Sequence, residues 1–111
     1  MRLVPHPLVQ RDVEGIYEHV LMSTGDAAAA DRRLGEIGRL LGEIMASPGS
    51  GRRLSGALDG WLVRHGGRGR RLTVVFRADP GRDALLVALV AFGGRDWLGA
   101  APSRPAGLGP G

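Results

Sequence analysis

Trp61-Leu62-Val63-Arg64-His65-Gly66-Gly67-Arg68-Gly69-Arg70-Arg71-Leu72-Thr73-Val74-Val75-Phe76-Arg77 is the stretch in which the period of the chain changes from helical to strand-like. Two strand-like runs, the second rich in β-branched residues, flank Gly66-Gly67-Arg68-Gly69, so the segment reads as a β-hairpin with those four residues as its turn. His65 then lies opposite Arg70, Arg64 opposite Arg71, Val63 opposite Leu72 and Leu62 opposite Thr73. Alternation sorts the faces: Leu72, Val74, Phe76 and Ala78 fall on an apolar side with Val63 and Trp61, and Arg64, Arg71, Thr73, Val75 and Arg77 on the other. Arg64 directly across from Arg71 is unfavourable by roughly a few tenths of a kcal/mol unless an anion lies between them. The arginine-bearing side is therefore expected to face away from any packed helices and to bind an anion. The alternative is a solvated outer face, on which charge is normal.

Past the hairpin, Asp79-Pro80-Gly81-Arg82 is a turn, and Ala84 to Phe92 is apolar on both alternating sets, as a strand buried on both faces would be. Met1 to Val4 is expected as an edge strand and Arg53 to Leu58 as a short one. Before the hairpin the spacing is helical. Residues 8–22 place Val9, Val13, Ile16, Tyr17, Val20 and Leu21 on one side, with Arg11, Asp12, Glu14 and Glu18 opposite, and Pro7 suits the first helical position. Ser23-Thr24-Gly25-Asp26 is a turn with an N-cap. Ala30, Leu34, Ile37, Leu41 and Ile44 then define a second helix to about Ala46, ended by Ser47-Pro48-Gly49-Ser50-Gly51. Gly35, Gly38 and Gly42 each cost this helix about 1 kcal/mol relative to Ala, for which close packing against the first helix is the expected compensation. The fold class is α+β: an N-terminal αα-hairpin packed on a small, mainly antiparallel, twisted β-sheet. Residues 1–99 are expected to form a single domain, and the aperiodic Pro/Gly-rich residues 100–111 a disordered tail.

All 15 basic residues are Arg; against 11 acidic residues they give a net charge of +4, which points to an anionic partner. A GC-rich genome produces the same Arg-for-Lys bias, so position has to decide. Arg52 and Arg53 before the hairpin and Arg95 after the last strand are placed to converge with Arg64, Arg71 and Arg77, and Trp97 is the candidate aromatic for stacking on a base. The absence of Cys excludes disulfides, thiolate metal sites and Cys nucleophiles. The start of the chain does not read as a signal peptide, and the longest apolar stretch, Ala84 to Phe92, is far short of the roughly 20 residues that span a bilayer. A cytoplasmic protein without a membrane partner is expected.

His6, His19 and His65 lack the spacing of a metal site, and no cofactor is implied. His19 reads as a solvated helix residue. His65, beside the Gly-rich turn, is the candidate general base, though a lone strand-end His is commonly structural. Gly66–Gly69 joins two strands and opens no helix, so it is not a phosphate loop.

Taken in order, these pieces resemble the RelE/ParE toxin superfamily of bacterial type II toxin–antitoxin systems over residues 1–97. His6-Pro7-Leu8-Val9-Gln10-Arg11-Asp12-Val13 is similar to the family's opening, Ala28-Ala29-Ala30-Asp31-Arg32-Arg33-Leu34 to the start of its second helix, and Ser47-Pro48-Gly49-Ser50-Gly51-Arg52 to the loop after it. Arg71-Leu72-Thr73-Val74-Val75-Phe76-Arg77 and Val90-Ala91-Phe92-Gly93-Gly94-Arg95-Asp96-Trp97 resemble its later strands. The resemblance implies a cognate antitoxin, a toxin–antitoxin hetero-oligomer, and one of two targets: mRNA in the ribosome, which is cleaved, or DNA gyrase, which is blocked without chemistry. For the nuclease it implies catalytic Arg71 and Arg95, with Arg52 and Arg53 as a basic loop. The Tyr or His that usually follows the last Arg is replaced by Asp96, Trp97, Leu98 and Gly99, so His65 is left as the possible proton-transfer group. A non-toxic basic RNA-binding module is the further alternative.

Overall fold

The computed structural model describes residues 1–108. The chain runs β1 (Arg2–Pro5), α1 (Val9–Thr24), α2 (Ala27–Ala46), β2 (Arg52–Arg53), β3 (Leu62–Gly66), β4 (Leu72–Asp79), β5 (Ala84–Phe92) and α3 (Trp97–Ala100), with short 3-10 turns between and after the later elements. The five strands form one sheet in the order β1-β5-β4-β3-β2, antiparallel except where β1 pairs parallel with β5. Asp26 caps α2 by accepting the Ala28 N–H at 2.9 Å, and Gly25, at φ 66°, ends α1 in the left-handed conformation. The expected strand over residues 53–58 is only Arg52–Arg53: Gly56, at φ 63°, turns the chain into a 3-10 turn over Gly56–Leu58.

The hairpin register differs from the expected one. His65 lies opposite Thr73, Arg64 opposite Val74, Val63 opposite Val75 and Leu62 opposite Phe76, three residues further along β4. The connection is longer because Gly67 (φ 73°), Gly69 (φ 70°) and Arg70 (φ 55°) all take positive φ in and just before a turn over Arg68–Arg70. Packing fixes this choice. Gly66 lies under Leu40 of α2, where a Cβ would come within 2.7 Å of Leu40 Cδ1, and Glu36 of α2 accepts the Arg68 N–H at 2.7 Å. Because the shift is odd, every side chain of β3 changes face. Val63 and Trp61 move to the side away from the helices, and Arg64 moves toward α2.

Both faces of the sheet are covered. On one side Ile16, Ile37, Leu40 and Ile44 of the helices bury Leu72, Val74, Phe76, Leu85, Val87 and Val90. On the other, Ala101 and Leu108 pack with Leu58, Trp61, Val63, Val75, Leu86, Ala88 and Ala91. The stretch expected to be disordered thus carries helical turns at Ala101–Ser103 and Pro105–Leu108; residues 109–111 of that stretch lie outside the described residues. Its anchor is Arg104, only 7% exposed, which donates to both carboxylate oxygens of Asp12 at 3.0 Å and to the Ala88 carbonyl at 2.8 Å. Asp12, placed by its spacing on the solvent side of α1, is instead buried and also accepts the Val90 N–H at 3.1 Å. β1 ends opposite Val87, so beyond that point the pair supplies partners that the β5 edge would otherwise lack.

The three glycines of α2 do not meet α1. Gly35, Gly38 and Gly42 are exposed, and a Cβ at any of them would have no neighbour within 4 Å. Close helix packing is not their compensation.

Candidate functional site

The covered outer face removes the surface on which the arginines were expected to gather, and the structure distributes them into separate places. Arg64 is neutralised: it donates to Glu43 of α2 at 2.9 Å and to the Ser50 hydroxyl at 3.1 Å. Its expected juxtaposition with Arg71 does not occur, because the register shift turns it toward the helices. Arg53 and Arg77 line a cleft of about 480 Å³ at the β2 side of the sheet, together with Asp59.

Arg71 and Arg95 do come together. Arg71 immediately precedes β4, and its carbonyl accepts the Gly93 N–H at 2.9 Å, which ties the start of β4 to the end of β5. Gly93, at φ 69°, turns the chain so that Arg95 follows on the same side. The two arginines, with His19, Phe92, Gly93, Gly94, Gly15 and Ile16, line a cleft of about 500 Å³ between α1 and this end of the sheet. The Arg71 guanidinium lies 4.8 Å from the centre of the Phe92 ring, and Arg33 of α2 lies 4.6 Å from it. Arg33 is held by Glu36 at 2.8 Å and by the Arg68 carbonyl at 3.2 Å. Neither Arg71 nor Arg95 makes an ion pair among the described residues. Two guanidinium groups without an ion-pair partner among the described residues thus stand beside a half-buried aromatic ring, and guanidinium is the side-chain group best shaped to hold a phosphate or carboxylate.

His19, read from the sequence as a solvated helix residue, is indeed exposed, and it stands on the wall of this cleft with its ring 5.8 Å from that of Phe92 and tilted by 59°. The local signal was Gly15 four residues earlier: positions four apart share a helix face, and a glycine there leaves the cleft open beside the imidazole.

His65 is on the opposite side of the sheet. Its Nδ1 is 2.9 Å from the buried Thr73 hydroxyl, and its ring meets Trp97 edge-on at 6.3 Å. Burial, and after it the charges of Arg52 and Arg70, hold this imidazole below its ordinary pKa. The residues grouped as catalytic are therefore split, with Arg71 and Arg95 in the cleft and His65 grouped with Arg52 and Trp97 behind it. Among the described residues no cluster of His, Asp and Glu has the makings of a metal site, and no helix is long and apolar enough to cross a membrane.

An αα-hairpin laid on a five-stranded, mostly antiparallel sheet is the RelE/ParE-like α+β fold. The chain is similar to one of the chromosomal ParDE TA system from P. aeruginosa, at 14% identity and a TM-score of 0.64 over 84% of this chain and 96% of that one. It is also similar to the YoeB/ParE toxin from Agrobacterium tumefaciens, at 23% identity and a TM-score of 0.59 over 83% of this chain and 98% of that one. No family model matches the sequence, and no curated protein matches it significantly.

Proposed function

We propose that this protein is the toxin of a toxin–antitoxin pair, and that it stops growth by cleaving mRNA at the ribosome with Arg71 and Arg95 as its phosphate-binding pair. The observation that carries the reading is the convergence of these two arginines, free of carboxylates among the described residues, in one cleft. The likeness in fold to a chain of the ParDE system and to the YoeB/ParE toxin supports the toxin part of this reading. Guanidinium groups fixed where charge develops on phosphate lower the barrier to its in-line displacement, and removing one such donor costs about 10²-fold in rate. Arg52 and Arg70, on the other side of the hairpin, extend the positive surface toward flanking phosphates. The cognate antitoxin is expected to place carboxylates on Arg71 and Arg95, making a hetero-oligomer in which the cleft is closed.

The test is induced expression in a bacterial host, with translation and DNA replication followed separately for wild type and Arg95→Ala. A fast translation block relieved by Arg95→Ala is the expected result. A replication block with intact mRNA would identify a gyrase-type inhibitor, and unimpaired growth a non-toxic RNA-binding module.

A further inference from the structure

We infer that His19 is the proton acceptor of this cleft, positioned to take the 2′-hydroxyl proton of an RNA phosphodiester bound by Arg71 and Arg95. The inference rests on the RNA-cleaving reading above. Of the three histidines, His6 and His65 each have a hydrogen-bond partner, whereas neither ring nitrogen of His19 has one among the described residues. The exposed His19 projects from α1 beside Phe92, and Phe92 lies between Arg71 from the start of β4 and Arg33 from α2. An exposed imidazole on the wall of a cleft that also holds two guanidinium groups, with no hydrogen bond to either ring nitrogen among the described residues, is free to accept a proton from a hydroxyl bound within hydrogen-bond reach.

Of the charged groups around it, the arginines line the cleft and the carboxylates lie elsewhere. Arg71 and Arg95 face the same cleft from the sheet, and Arg33 faces Phe92 from α2 with its charge offset by Glu36. On its own helix the neighbouring Glu18 lines a different groove, with Tyr17, Val13 and Leu34. Among the described residues no acidic side chain lines the cleft to compete for the arginines. His65 cannot serve the same phosphate, because it lies on the other side of the sheet against Thr73.

The step balances without a metal or cofactor. The 2′-hydroxyl gives its proton to His19 as O2′ bonds to phosphorus; the P–O5′ bond breaks, and O5′ takes a proton from water. A 2′,3′-cyclic phosphate and a 5′-hydroxyl result, and His19 returns its proton to the hydroxide so formed. Arg71 and Arg95 hold the non-bridging oxygens throughout.

The experiment uses the full chain, with ribosome-bound mRNA cleavage measured across pH for wild type, His19→Gln, His65→Gln and Arg71→Ala. A 2′-deoxy dinucleotide, which cannot be cleaved, reports binding by NMR. His19→Gln is expected to bind the dinucleotide within about two-fold of wild type yet to cleave about 10²-fold more slowly or worse, with the acidic limb of the pH profile gone. Arg71→Ala is expected to weaken dinucleotide binding itself. Wild-type cleavage fully retained in His19→Gln, or slowed with an unchanged pH profile, would overturn the assignment while leaving the nuclease reading standing. So would loss of cleavage in His65→Gln alone, which would move proton transfer to the opposite face. Wild type that binds the dinucleotide but cuts no mRNA would overturn both.

Discussion

His6 stands where β1 gives way to α1, and its Nδ1 accepts the Leu8 N–H at 3.0 Å, which requires that nitrogen to be unprotonated. Burial is the largest influence holding its pKa below the ordinary 6.5; the Arg104 charge adds to it and Asp12 opposes it. The unfolded chain thus takes up a proton at a higher pH than the folded chain does. The stabilisation from neutral His6 is complete above 6.5 and is lost as pH falls from there through the lowered folded value, and His65 adds to it in the same direction. Chemical denaturation is expected to show a lower midpoint at about pH 5.5 than at about pH 7.5. An equal or higher midpoint at the acid pH would mean that the fold accepts the protonated rings. Residue identity alone did not separate the three histidines. Their roles depend on Leu8 N–H, Phe92 and Thr73, and the last two are contacts that only the sheet register and the helix packing create.

At the level of the element, α1 and α2 were legible because a helix shows its buried stripe every three or four residues, and Ile16, Ile37 and Ile44 are buried where that spacing puts them. β5, apolar on both alternating sets, was legible for the same kind of reason. The hairpin was recognised, but its register was not. A turn of Gly66–Gly69 and a longer one ending at Arg71 satisfy the same local pattern, and what separates them is Leu40 seated over Gly66, a contact from another element. The error reached the candidate site, since it placed Arg64 beside Arg71 when Glu43 holds it elsewhere. The α2 glycines supply a test at this scale. With open space at each Cβ and ordinary helical geometry, Gly38→Ala and Gly42→Ala remove backbone entropy from the unfolded chain without a clash. Each is expected to raise stability by about 0.5–1 kcal/mol in urea denaturation. A loss of stability would show that something packs on that face. Gly66→Ala is the opposite case and is expected to destabilise, because its Cβ would run into Leu40.

For the molecule as a whole, the C-terminal stretch decides which surfaces remain available. Composition marked it as tail, since Pro and Gly carry no periodicity, and no local pattern connects Arg104 to Asp12, 92 positions earlier. Yet that pair, with side chains 9% and 6% exposed, closes the β5 edge, and Leu108 and Ala101 complete the apolar layer on the outer face. If the stretch merely lay on a finished fold, deleting residues 101–111 would leave the unfolding midpoint unchanged. The structure argues otherwise. Deletion leaves the Asp12 carboxylate without its cation and the Ala88 carbonyl without its donor, and it bares Leu86, Ala88 and Ala91. Breaking a buried pair from one side costs about 3–5 kcal/mol, a large share of the roughly 5–15 kcal/mol that holds a domain together. Arg104→Ala in the full chain isolates the ion pair, and the deletion adds the lost apolar cover to it. Thermal and urea unfolding are therefore expected to rank wild type above Arg104→Ala and Arg104→Ala above the deletion. The separation between the last two measures how far the sheet depends on being covered on both sides. A deletion no less stable than Arg104→Ala would leave the outer face free after all, and would return Arg52, His65 and Trp97 to consideration as the working surface.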